Sequence, residues 1–450
     1  MSEVKGIRSQ RCWINDKLQA AIILFEENKV VDIIFGESVV SNIEVEDFGT
    51  AVIMPGAMDV HVHINEPGRT EWEGFETATR AAAAGGVTML VDMPLNSSPV
   101  TTNVAAFKEK LKAGQASGLY VNCGLYGGLV PDNLEDLEDL IQCGVLGIKC
   151  FLTHSGIDEF PNVGQKELEI AMSIIAKYEI PILAHCELTD TPAVMTKERA
   201  PGNYQQYLAS RPKRWENEAV QLMVDMCEQY DCPTHIVHVA SDEVLPIIAK
   251  AKKKGLPITA ETCPHYVYFE AETIPDNNTL YKCAPPIRER KNKDHLIKAF
   301  KTGVLDFLSS DHSPAPPDLK EIESGNLIKA WGGISSLQYL VSAAWTSLKE
   351  ELSIETFIPL LTENPAKYLG LQTQKGFIKK GSDADFTIWE PEKKFTVEKI
   401  NNQHKHKMSP YTGAVLFGEI SATYVNGTLV FKEGILNNKP GKWIIKKQTI

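Results

Sequence analysis

Between residues 52 and 310, eight short apolar runs alternate with helix-like stretches, the pattern of a parallel sheet whose strands are joined by crossover helices. The runs are 52–61, 88–93, 119–124, 147–153, 180–186, 234–239, 258–262 and 305–310; helical character falls between them, for example at 77–84, 104–113, 165–178 and 217–229. Eight such strands predict a closed (β/α)8 TIM barrel. An open doubly wound sheet uses the same alternation, but no glycine-rich phosphate loop follows the first run.

At 450 residues the chain exceeds the roughly 250 a barrel needs. Residues 1–51 carry β-prone runs at 20–25 and 29–35, and strand character returns beyond residue 371, at 382–389, 422–425 and 428–431. The prediction is an α/β protein in which 1–51 and 372–450 pair into one small β-sandwich beside a barrel at 52–371.

The formal net charge of -12 argues against a nucleic-acid partner, which wants a basic face, and favours a small neutral or weakly charged substrate. The densest basic runs, Lys250 to Lys254 and His404-Lys-His-Lys407, read as solvated faces. Nine cysteines, an odd number with no C-x-x-C pair, argue against a disulfide framework and a four-thiolate zinc site, and read as free thiols in a reducing compartment. Met1-Ser-Glu-Val-Lys-Gly-Ile-Arg8 lacks a signal-peptide core, and no stretch of about 18 apolar residues is present to span a bilayer. The expected location is the cytoplasm, with no membrane partner.

Barrel enzymes build their sites at the C-terminal ends of strands, so ligands should appear there one strand at a time. His61 and His63 end the first run; a strand sends alternate side chains to one face, so both can reach one metal ion. Lys149, His185, His238 and Asp311 follow at the ends of the fourth, fifth, sixth and eighth runs. A lone strand-end histidine is ordinarily structural, and it is the ordered set that points to a metal centre. By the same alternation His235, three residues before His238, faces away, as do Cys150 and Cys186. His154, His265 and His312 fall near the mouth, open between structural and substrate-contact roles. Lys149 has two readings: a structural lysine paired with a carboxylate, or a desolvated amine that takes up carbon dioxide as a carbamate. No H-E-x-x-H, Walker or G-x-S-x-G motif offers another chemistry.

With these residues the chain resembles, over nearly its full length, the cyclic amidohydrolases of the metal-dependent amidohydrolase superfamily. The resemblance rests on Asp59-Val-His-Val-His-Ile-Asn-Glu-Pro-Gly-Arg-Thr-Glu-Trp-Glu-Gly-Phe75, Met93-Pro-Leu-Asn96, Gly147-Ile-Lys-Cys-Phe151, Cys263-Pro-His-Tyr266, Lys282-Cys-Ala-Pro-Pro-Ile-Arg288, Ser310-Asp-His-Ser-Pro314 and Lys329-Ala-Trp-Gly-Gly-Ile334. It implies two divalent ions, usually zinc, bridged by a carboxylated lysine and a hydroxide. His61, His63 and Asp311 would hold one ion, His185 and His238 the other, and Lys149 both. It also implies a homotetramer or dimer. Asn65 stands where dihydroorotases carry a carboxylate-binding arginine, which fits a neutral ureido-substituted hydantoin, and the run Arg69 to Phe75 sets the chain apart from hydantoinases. Ala315 departs from the pattern, where a cysteine is expected. Asp311 is the expected base as well as a ligand, and Asn65, Asn96, Ser313 and the backbone at 283–286 are candidates for holding substrate. A hydantoinase or dihydropyrimidinase, and a metal-free assembly protein on the same fold, are the alternatives.

Overall fold

The computed structural model describes residues 3–36, 42–189 and 200–446. Its centre is a barrel. Strands Ala57–Val62, Val87–Asp92 and Asn122–Leu125 pair in parallel, the last continuing through Tyr126 into Gly127–Gly128. From there parallel pairing runs through Ile148–Phe151, Ile182–His185, Thr234–Ile236, Ile258–Thr262 and Phe307–Leu308. A parallel bridge between Val62 and His312 joins the last strand to the first, with His63 N–H donating to His312 O at 2.8 Å. The ring contains the eight expected strands, each within a few residues of its apolar run.

Two cores follow from this closure. Met58, Val60, Met89, Tyr126, Leu183 and Phe307 fill the barrel, whereas Val62, Leu90, Ile148, Ile182 and Ile236 face the surrounding helices. The helix Phe75–Ala84 buries Ala78, Ala81, Ala82 and Ala83, small side chains that let it lie close to the sheet. In Leu245–Lys253 the basic run supplies Lys250, Lys252 and Lys253 to the last turn, where cations complement the helix dipole.

One expected strand is two. The run 52–61 breaks at Gly56: Val52–Pro55 belongs to the terminal sheet and Ala57–Val62 to the barrel. Gly56 is needed there, since a Cβ would sit 2.0 Å from Thr88 Oγ1. Val52–Pro55 pairs in parallel with Lys5–Ile14 and antiparallel with Phe386–Thr396, so it stitches the two ends of the chain together. The resulting nine-stranded sheet has its own core of Ile7, Ile23, Phe25, Ile53, Phe386 and Tyr424. After Leu436 the chain returns to the barrel, where Trp443 packs on Phe75 and Ile444 N–H donates to Cys123 O at 2.8 Å. No helix among the described residues is long and apolar enough to cross a membrane.

Candidate metal centre

The histidines reach the mouth by two local devices. Strand Ala57–Val62 shifts register against its neighbour between Asp59 and Val62, where the buried Asp59 carboxylate accepts N–H bonds from His61 and Ser310. Beyond the shift, Val62 and Ile64 enter the outer core while His61 and His63, alternating with them, line a cavity of 440 Å³. That volume suits a small molecule. His238 gets there differently. His235 and Val237 point into the barrel, so strict alternation would turn His238 outward; its φ of 38° returns it to the mouth. Asp311 likewise has φ 45°. Left-handed non-glycine residues are uncommon, and both fall at candidate ligands.

All six expected side chains, His61, His63, Lys149, His185, His238 and Asp311, line this one cavity. Asp311 Oδ1 lies 3.3 Å from His61 Nε2 and 3.5 Å from His63 Nε2, and His185 Nδ1 lies 3.0 Å from His238 Nε2. Donor atoms of His61, His238 and Asp311 fall within 4.8 Å of one another. Lys149 is 1% exposed and has no hydrogen-bond partner among the described residues; its Nζ lies 5.0 Å from the centroid of the Phe151 ring. Burial brings its pKa down to about 8, which makes the neutral amine accessible. Among the described residues no carboxylate pairs with it, which the structural reading of this lysine requires.

Two carboxylates not singled out in the sequence orient the rings. His61 Nδ1–H donates to Glu261 Oε1 at 2.6 Å, and His185 Nε2–H donates to Glu187 Oε2 at 2.8 Å. These bonds assign the tautomers, leaving the lone pairs of His61 Nε2 and His185 Nδ1 facing the cavity. Arg211 donates to both oxygens of Glu187. Burial works to raise the Glu187 carboxyl, but Arg211 and His185 outweigh it and hold the pKa at about 2; Glu261 is held low in the same way by His61 and His235. Burial lowers the pKa of His61, His185 and His238, favouring neutral rings. A signal for Glu187 was present, since it follows His185 at the same two-residue spacing as His61 and His63.

The remaining expected residues divide. Asn96 and Ser313 line the cavity, as does Ala284 from the expected backbone segment 283–286, with Lys282 just before it. The Asn96 amide is 3.3 Å from His63 Nδ1, so it also steadies that ring. Asn65 is not among the residues lining the cavity: it is fully buried at φ 68° and shapes the turn in which Arg69 N–H donates to Asn65 O at 3.1 Å. His235 is a correction. It does not face away but lies deeper inside the barrel, stacked on Phe307, with Nε2 3.3 Å from Glu261 Oε2. His154 lines the cavity, and His312 is buried against Glu73 at 3.3 Å. The Arg69 to Phe75 run works from behind: Arg69 donates to Asn96 O at 3.1 Å, and Trp72 packs 4.8 Å from Trp331, which forms cavity wall.

These donors suit divalent metal ions. Neutral imidazoles, a carboxylate and a lysine with no carboxylate partner among the described residues converge here, and each of two rings is held by an outer carboxylate, the usual support of a metal-bound histidine. Residues 52–430 match the amidohydrolase family. The chain belongs to that family. It is 43% identical over 409 residues to the allantoinase of Arabidopsis thaliana, covering 88% of this chain and 80% of that protein. It is 38% identical over 450 residues to the allantoinase of Streptomyces avermitilis, covering 99% and 100%. Among solved structures, the L-hydantoinase (dihydropyrimidinase) from Arthrobacter aurescens superposes with a TM-score of 0.91 at 30% identity, covering 99% of this chain and 100% of that one.

Proposed function

We propose that this protein is an allantoinase, which opens the hydantoin ring of allantoin at a cyclic amide bond to give allantoate. The observation that carries the substrate choice is full-length similarity, at 38% identity, to a protein named allantoinase, together with a cavity lined by the six polar side chains expected to hold metal. His61, His63 and Asp311 would hold one divalent ion, zinc in this reading, and His185 and His238 the other, and Lys149, carboxylated by carbon dioxide, would contribute oxygen ligands. When bound, the ions lower the pKa of water and polarise the amide carbonyl.

The chain's own residues supply the rest. Asp311 accepts the proton of the attacking water and delivers it to the ring nitrogen as the amide C–N bond breaks. Glu261 and Glu187 keep His61 and His185 in the tautomers that present lone pairs inward. Asn96, Ser313 and Ala284 line the cavity, and in this reading Asn96, Ser313 and the Ala284 backbone meet the ring's polar edges. Leu95, Phe151 and Trp331 enclose the apolar sides and restrict water.

A second reading, hydantoinase or dihydropyrimidinase, is favoured by the likeness to the Arthrobacter enzyme. A panel of allantoin, hydantoin, dihydrouracil and dihydroorotate separates the two. The highest kcat/KM is expected on allantoin; a preference for hydantoin or dihydrouracil would replace the first reading with the second, and metal-free inert protein would remove both.

A further inference from the structure

A second cluster of metal-binding side chains adjoins the centre. Cys263 Sγ, a ring nitrogen of His265 and a carboxylate oxygen of Asp311 all lie within 4.8 Å of one another. Cys263 and His265 are 0% exposed and Asp311 is 8% exposed. His265 is anomalous by itself, because both of its ring nitrogens are buried without a hydrogen-bond partner among the described residues. A buried imidazole with two idle nitrogens is costly unless something occupies the space beside it. Its backbone is fixed, since Pro264–Tyr268 begins a short helix at the end of strand Ile258–Thr262, and Tyr266 anchors that helix by donating to Pro285 O at 2.7 Å.

We propose that Cys263, His265 and Asp311 form a third cation site, selective for thiophilic divalent ions such as cadmium or excess zinc, and that its occupancy inhibits the enzyme. Donors around one tetrahedral ion of this kind stand about 3.3–3.8 Å apart, so side-chain rotation of about an ångström closes the cluster. One sulfur, one nitrogen and one oxygen donor favour zinc or cadmium over magnesium, calcium or manganese. Asp311 is the shared member. An ion on its carboxylate takes the oxygen that the proposed function needs as a proton acceptor, so occupancy stops turnover without displacing the ions at the histidines.

The principal centre contains no sulfur donor, so a thiolate-to-metal charge-transfer band reports the second cluster alone. The experiment adds cadmium chloride to zinc-loaded enzyme carrying Cys143→Ser, which removes the cysteine that is not buried. The expected result is one further equivalent of cadmium, a charge-transfer band that saturates with it, and loss of activity along the same titration. Cys263→Ser should abolish the band, and Cys263→Ser and His265→Gln should each raise the inhibitory concentration on the order of tenfold or more, since even outer partners of a metal site are worth that much. No band in the parent, a band that survives Cys263→Ser, or inhibition without a band would each overturn the proposal. If Cys263→Ser fails to fold, His265→Gln decides, and an unchanged titration overturns it. The inhibition arm rests on the proposed function and the band does not, so failure of one reading is distinguishable from failure of the other.

Discussion

Glu261 should govern how tightly the His61 half of the centre holds its ion. The two side chains are each 1% exposed and meet at 2.6 Å, so their bond is a buried, charge-assisted one, of a kind worth about 1.5–3 kcal/mol. Glu261→Gln keeps an oxygen to accept the His61 Nδ1–H but loses the charge, and a loss of about 1 kcal/mol weakens metal binding roughly fivefold. Glu261→Ala leaves Nδ1–H unpaired and removes the neighbour of His235, placing the loss at about 10–100-fold. Competition of the apoprotein with a chromophoric chelator resolves the two sites. Weakening is expected in one site only, because His185 is steadied separately by Glu187. At saturating metal kcat should recover to within a few-fold, which distinguishes positioning from chemistry. Wild-type affinity in both variants, or equal weakening of both sites, would refute the reasoning.

Lys149→Ala should be inactive and regain partial turnover with short carboxylates or bicarbonate, checked by rate against additive concentration. Because the neutral amine reacts with carbon dioxide and burial lowers the Lys149 pKa to about 8, activation of apoprotein at a fixed concentration of dissolved carbon dioxide should speed up as pH rises through 8 and level off above it. In Asp311→Asn, rate should fall by about 10²–10⁴-fold while elemental analysis shows a smaller loss of metal. Asn65→Gly should retain near-normal kcat/KM, since φ 68° suits glycine, whereas Asn65→Val should lose about 1–2 kcal/mol in chemical denaturation. A large KM effect in the glycine variant would restore Asn65 as a substrate contact.

The barrel was legible because burying a sheet between helices on one side and its own interior on the other makes each strand an apolar run, and eight such runs admit few closures. The same property concealed the break at Gly56. Val52–Pro55 and Ala57–Val62 are buried throughout, in different sheets, and hydrophobicity reports that a residue is covered without reporting what covers it. The return of the chain after Leu436 to lie beside Cys123 was hidden for a related reason: it depends on backbone hydrogen bonds and one aromatic, Trp443, with no periodic pattern to announce it.

The candidate site was legible wherever a polar residue interrupts an apolar strand end, which is how His61, His185 and Lys149 stand out. Glu261 does not, because an acid is readable as an orienting partner only once its distance to a ring is known; Glu187 carries a spacing signal beside His185, but spacing alone does not separate a ligand from an orienting partner. His235 shows where alternation fails as a guide. Period-two reasoning assumes extended backbone, and at His238 the chain leaves it, so a residue three positions earlier shares the barrel interior with it instead of facing away. Holding His238 and Asp311 in the left-handed region costs on the order of 1–3 kcal/mol each. Glycine at either position would remove that cost and also the donor atom. The strain is therefore expected to persist where the side chain must be a histidine or an aspartate and must turn inward at the end of a strand, and in this chain those two requirements meet at the residues that close the proposed donor set.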